Sequence, residues 1–156
     1  MHICRKRRCP KMAHQFTMKN ILILTKETTS YHGVMMDSSL TWTPHIKKLK
    51  SDCLQKLGVL KSISRQTWGA DSKTLMRLYT LLIKPKLEYG SEAYYSACKS
   101  QMNKLEPIQN QAIRTAIGAF KSSPIASIQI ISGIKPLHLS LDTKLLNFFL
   151  RILIKR

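Results

Sequence analysis

The chain has 156 residues, 44% hydrophobic and 22% charged, which excludes wholesale disorder and leaves room for one domain or two small ones. Twenty-six lysines and arginines stand against eight acids, a net charge of +18 at pH 7. So lopsided a chain repels itself and is suited to a polyanion, above all nucleic acid.

Four cysteines (Cys4, Cys9, Cys53, Cys98) lack the spacing of a disulfide framework, so a reducing, intracellular setting, nuclear or cytoplasmic, is expected. Cys4, Cys9 and His14 make at most half a zinc site, because structural zinc takes four ligands. Between the first two cysteines lie Arg5, Lys6, Arg7 and Arg8, read as a phosphate-contacting strand or loop. Residues 1–42 read as extended, since "HIC", "ILIL" and "YHGVMM" are short apolar runs without a helical period.

At residue 43 the pattern changes. Thr43-Pro44 is an N-cap followed by proline at the first helical position. Ile46, Leu49, Cys53, Leu57, Leu60 and Ile63 then recur every three or four residues, a stripe that belongs to a core. Lys47, Lys48, Lys50, Lys56, Lys61 and Arg65 decorate the other faces. "WGADSK" ends this helix at Gly69 and caps the next at Asp71 or Ser72; Leu75, Leu78, Tyr79, Leu82 and Ile83 form its stripe, and Pro85 should kink or stop it. Ser100 caps a third helix with Leu105, Ile108, Ala112, Ile113, Ala116 and Ile117 inward, and Arg114 among them. Ser123-Pro124 opens a short helix (Ile125, Ile128, Ile131) that Gly133 closes, and Lys135-Pro136 precedes a last, very apolar one. Its end, "LLNFFLRILIKR", is interrupted by Arg151 and falls short of the ~20 residues of a membrane span, so no membrane partner is expected. It reads as a core helix with a missing partner. The expected fold is mainly α: a short N-terminal β-hairpin or sheet segment, residues 1–42, then a bundle of about five helices, 43–156.

No catalytic centre is visible. Two-metal polymerases and nucleases need converging carboxylates, but Glu27, Asp37, Asp52, Asp71, Glu88, Glu92, Glu106 and Asp142 are dispersed. Glu88 and Glu92, one helical turn apart, read as a surface pair. No phosphate-binding glycine loop, nucleophile elbow or zinc-protease motif appears, and the five histidines show no triad logic. Neither a catalytic residue nor a metal site is expected.

Taken together, "GVMMDSSLTWTPHIKKLK", "LGVLKSIS", "WGADSKTLMRLYTLLIKPKLEYGSEAY" and "LEPIQNQAIRTAIGAFKSSPI" resemble the reverse transcriptases of jockey-type non-LTR retrotransposons, in the segment between the polymerase active site and the RNase H domain. The resemblance covers nearly the whole chain. It implies that residues 1–42 are the end of the palm, with a primer-grip-like hairpin at Tyr31, His32, Gly33 and Val34. Residues 43–156 are then thumb and connection, with Asp37, Leu40, Thr41, Trp42 and His45 forming the turn into the first thumb helix. His32 stands where the family usually has leucine. Arg5, Lys6, Arg7, Arg8, Lys47, Lys48, Lys50 and Arg65 are the implied phosphate contacts.

The family's paired aspartates lie upstream, so the resemblance implies a fragment of an RNA-directed DNA polymerase that positions template–primer duplex and holds no catalytic aspartates. It needs no cofactor itself; Mg²⁺ is expected only for the intact parent. Its partners are an RNA–DNA or DNA duplex and the rest of the palm. Two other readings are a stand-alone basic helical nucleic-acid-binding protein repurposed from a mobile element, and an assembly module that docks onto an intact polymerase.

Overall fold

The structure, a computed structural model, describes residues 16–19, 21–23, 26–64 and 69–155. It divides into two compact units, one ending at His45 and the other beginning at Ile46. Cys4, Arg5, Lys6, Arg7, Arg8, Cys9, His14, Arg65 and Trp68 lie outside the described residues.

The first unit contains two antiparallel hairpins. Strands β1 (Phe16–Met18) and β2 (Ile21–Ile23) pair with Thr17 opposite Leu22. Strands β3 (Thr28–Tyr31) and β4 (Val34–Asp37) pair with Tyr31 opposite Val34 and Thr28 opposite Asp37. Only His32 and Gly33 join them, both at positive φ (46° and 78°). A two-residue turn with both residues left-handed matches the twist of its strands, and glycine supplies that conformation without strain. Below the turn the Ser38 amide donates to the Glu27 carbonyl at 3.0 Å and closes the hairpin's open end.

Helix α1 runs from Thr43 to Ile63. Five of its six expected core positions are buried (Ile46, Leu49, Cys53, Leu57, Leu60), and Ile63 is half-buried. Burial pushes the Cys53 thiol up to about 11, so it stays protonated and serves as a small core side chain. Gly58 points into open space in mid-helix, where an added Cβ meets nothing within 4 Å. Glycine there costs backbone entropy without a packing reason, so Gly58→Ala should raise stability by about 0.5–1 kcal/mol in denaturant titration. A loss of stability instead would mean that a neighbour crowds this face.

The second helical run corrects an expectation. Pro85 neither stops nor breaks it: α2 (Ser72–Leu78) passes through a π-helical turn (Tyr79–Ile83) into α3 (Lys84–Glu88). Proline has no amide to donate and crowds the preceding turn, and a wider turn accommodates both problems. The Lys84 amide reaches five residues back to the Tyr79 carbonyl, and the Lys56 ammonium caps the Leu82 carbonyl at 2.8 Å. The wider turn also resets the stripe. Leu75, Tyr79, Ile83 and Leu87 are buried at a constant spacing of four, whereas Leu82 is exposed and Leu78 only half-buried.

The run ends at Tyr89, which is extended, and Gly90 at φ 67° redirects the chain. Glu88 and Glu92 therefore do not sit one turn apart on a single helix. Two one-turn helices follow, α4 (Ser91–Tyr94) and α5 (Lys99–Met102). Ser100 does not cap the long third helix. That helix, α6 (Glu106–Ile117), begins with Glu106 and Pro107, an acid and a proline where the free amides favour both, and ends on Gly118 at φ 69°. Helix α7 (Ile125–Ser132) buries Ile128 but leaves Ile125 and Ile131 exposed; Gly133 at φ 66° closes it. Helix α8 (Leu137–Ile154) buries Leu137 and Leu141. The fold is thus mainly α, with short N-terminal strands followed in sequence by helices, as expected, and five helical runs longer than one turn among the described residues (43–63, 72–88, 106–117, 125–132 and 137–154).

Candidate nucleic-acid interface

At the tip of the β3–β4 hairpin, Tyr31, His32 and Gly33 are exposed while Val34 is buried. The Tyr31 and His32 rings meet edge to face, centroids 4.4 Å apart at 84°. Histidine tolerates the left-handed conformation that position 32 adopts (φ 46°) better than bulky apolar residues do. The hairpin presents two rings and a bare backbone outward and is anchored by one valine.

Asp37 organises the passage from β4 to α1. One carboxylate oxygen accepts the Thr41 amide and hydroxyl, both at 2.9 Å; the other accepts the Trp42 amide, also at 2.9 Å. Leu40 (φ 51°) and Trp42 (φ 61°) are held left-handed between them, and Trp42 is buried. His45, also buried, accepts the Met35 amide on Nδ1 at 3.3 Å, so that nitrogen carries no proton. The sequence motif Asp-x-x-Leu-Thr-Trp-x-x-His is therefore a folded corner.

Lys47, Lys48 and Lys50 are exposed on α1, and none takes part in the ion pairs found among the described residues. Other cations are committed to the fold. Lys86 pairs with Asp52 at 3.2 Å and, with the Lys56 contact, ties α1 to residues 82–86. Lys144 reaches the Glu88 carboxylate at 3.6 Å and its carbonyl at 3.2 Å, joining α8 to α3.

The motif Ile-Gln-Asn-Gln-Ala-x-Arg on α6 carries an unexpected structural load. Gln109 and Asn110 are buried. The Gln109 amide donates to the Lys135 carbonyl (2.7 Å), Asn110 accepts from Gln129 (3.3 Å), and the Arg114 guanidinium donates to the Ser123 carbonyl (2.8 Å). Three side chains of α6 thus pin both ends and the middle of the α7 hairpin. Two further acids join distant segments: Glu106 meets His138 at 3.1 Å, and Asp142 accepts from the Tyr95 hydroxyl. Such pairs, 32 and 47 residues apart, leave no local signal in sequence. Among the described residues no three histidines, cysteines or acids come together as a metal site, and no helix is long and apolar enough to cross a membrane.

The comparisons with known proteins point to enzymes that act on nucleic acid. The chain is similar to RNA-directed DNA polymerases of non-LTR retrotransposons, including jockey, as its motifs indicate. It is 22% identical over 126 residues to the retrovirus-related Pol polyprotein of the type-1 retrotransposable element R1 4 of Nasonia vitripennis, covering 81% of this chain and 32% of that protein. It is 26% identical over 115 residues to the RNA-directed DNA polymerase from mobile element jockey of Drosophila funebris, covering 72% and 12%. With the probable RNA-directed DNA polymerase from transposon BS of Drosophila melanogaster it shares 24% over 97 residues, covering 62% and 11%. The chain thus spans between about a tenth and a third of the relatives it matches. No family model and no solved structure matches it.

Proposed function

We propose that this chain is the end-of-palm and thumb segment of a retrotransposon reverse transcriptase and that it holds the template–primer duplex without sequence preference. The observation that carries the proposal is the set Lys47, Lys48 and Lys50, exposed at the start of the first long helix and in no ion pair among the described residues. In a chain of +18 such ammonium groups attract phosphates and release their counterions, which gives affinity without reading bases. The hairpin adds a different contact. Tyr31 and His32 offer ring faces for a terminal nucleotide, and Gly33 lets backbone approach sugar and phosphate without a Cβ between. The basic residues Arg5, Lys6, Arg7, Arg8 and Arg65 are further phosphate contacts in this reading. Chemistry belongs to aspartates and Mg²⁺ elsewhere in the polymerase, and no step is assigned to residues here.

Duplex affinity should fall steeply with salt, by a factor of about 10² or more between ~50 and ~200 mM, equally for RNA–DNA and DNA duplexes of unrelated sequence. Fluorescence anisotropy across that range measures it. Flat binding, or preference for one sequence, would remove the phosphate-tracking role.

A further inference from the structure

The nucleic-acid reading uses the lysines at the start of α1, and the helical unit holds a second group of cations elsewhere. At about 100° per residue, Lys84 and Lys86 point to opposite sides of α3. Lys86 faces α1, where it pairs with Asp52 at 3.2 Å, and Glu88, on the Lys84 side, faces Lys144 of α8. A cleft of about 330 Å³ opens on that second side, between α3, the loop after α7 and the first two turns of α8. Lys84 and Glu88 form one wall, Ser140 and Thr143 the other, and residues 133–135 close the end.

Positive charge is in excess here. Glu88 is the only acid lining the cleft, and its side chain is 14% exposed. Two ammonium groups already serve its carboxylate, Lys144 at 3.6 Å and Lys84 at 4.0 Å. Lys135, exposed, is in no ion pair among the described residues, so three lysines surround one carboxylate. The next acid along α8, Asp142, lies across the helix from Ser140 and accepts from Tyr95 instead. The Ser140 hydroxyl has no partner among the described residues. At Gly133 (φ 66°) the backbone borders open space, since an added Cβ would meet nothing within 4 Å. Ammonium groups, an unengaged hydroxyl and open space beside bare backbone suit a phosphate, whose oxygens take charge and hydrogen bonds together. Ile134 is the only apolar side chain in the lining, so no platform is present on which a base could stack. The cleft therefore fits the backbone of a strand better than a nucleotide taken up whole.

We infer that this cleft holds a backbone phosphate of a nucleic-acid strand through Lys84, Lys135 and the Ser140 hydroxyl, as a contact separate from Lys47, Lys48 and Lys50. It rests on the nucleic-acid reading above and adds a second place to it. Lys84 stands at the outer edge of ion-pair distance from Glu88, so it turns to the phosphate while Lys144 keeps the carboxylate balanced.

Two probes test this on the full chain: inorganic phosphate, followed by NMR of the backbone amides, and a mixed-sequence duplex, followed by NMR and by anisotropy. Phosphate should shift the Gly133, Ile134, Lys135 and Ser140 amides, and chloride at equal ionic strength should not. The duplex should shift the same amides and displace phosphate from them. K135M/S140D removes one cation and sets a carboxylate in the cleft. It should abolish the phosphate shifts, lower duplex affinity about tenfold and flatten the salt slope by about 1. An acid in the first turn of α8 suits the helix, so circular dichroism should be unchanged. K135M alone, at an exposed position, should weaken both in the same direction. Amides that ignore phosphate, or a K135M/S140D chain that binds duplex with the wild-type affinity and slope, overturn the inference. So does a cleft that takes phosphate while duplex leaves its amides unmoved, because the site would then serve a free phosphate compound. Loss of duplex binding in K47E/K48E/K50E but not in K135M/S140D sinks the cleft alone. Wild-type duplex binding in both sinks the reading it rests on as well.

Discussion

Replacing Lys47, Lys48 and Lys50 together with glutamate should lower affinity for a nucleic-acid duplex by about a hundredfold or more at ~0.1 M salt, whatever its sequence. Each lysine that neutralises a phosphate contributes about 0.9 to the slope of log affinity against log salt, so removing three should flatten it by nearly 3. The fold should tolerate the change. All three side chains are exposed, the buried stripe from Ile46 to Leu60 is untouched, and none of the three is in an ion pair among the described residues. Lys86→Glu is the informative control, because that lysine balances Asp52 at 3.2 Å. Reversing it sets two carboxylates against each other, so it should cost stability and leave the salt slope nearly unchanged. Anisotropy titrations at four or five salt concentrations, with circular dichroism on each variant, read both quantities. A triple variant that binds like wild type would mean that the duplex does not run along α1.

The helices were legible because their stripes are local. Ile46 to Leu60 repeats every three or four residues, and the structure buries those positions. The hairpin was legible through the resemblance, which puts it at Tyr31, His32, Gly33 and Val34, and its turn falls at His32-Gly33. What escaped were effects that need backbone detail or distant partners. Pro85 suggested a kink or a stop; the run continues through it, because a π-helical turn widens the helix before it and Lys56, 26 residues from Leu82, caps the Leu82 carbonyl. The start of α6 was placed too early because Ser100 looks like a cap, whereas Glu106-Pro107 is the stronger start.

The family-like motifs taught something different. Ile-Gln-Asn-Gln-Ala-x-Arg looks, in sequence, like a polar patch on an amphipathic helix; in the structure Gln109, Asn110 and Arg114 bond backbone and side chain around α7. A polar side chain buried with its partner satisfied is a positioning element, and sequence does not reveal the partner. Asp-x-x-Leu-Thr-Trp is of the same kind. Resemblance located both motifs, but only geometry shows what their side chains do.

Asp37→Ala should destabilise the first unit by about 2 kcal/mol, because three hydrogen bonds to a charged acceptor disappear and Leu40 and Trp42 lose what holds them left-handed. Burial alone would raise the Asp37 carboxyl above its ordinary value of 3.8, but the hydrogen bonds from Thr41 and Trp42 outweigh it and hold the carboxyl lower. The sign for stability follows. A depressed folded value means that Asp37 contributes fully above pH ~4 and that the contribution is lost as pH falls through the folded value. Wild type should therefore lose protection of the Thr41 and Trp42 amides on acidification below pH ~4. Asp37→Ala should show weak protection at pH 6 already and little further change. Asp37→Asn, which keeps one acceptor oxygen and no charge, should fall between them with no acid transition of its own. Hydrogen exchange followed by NMR resolves those two amides individually. Equal protection in wild type and Asp37→Ala at pH 6 would show that the corner is held by the burial of Trp42, and that the carboxylate only follows it.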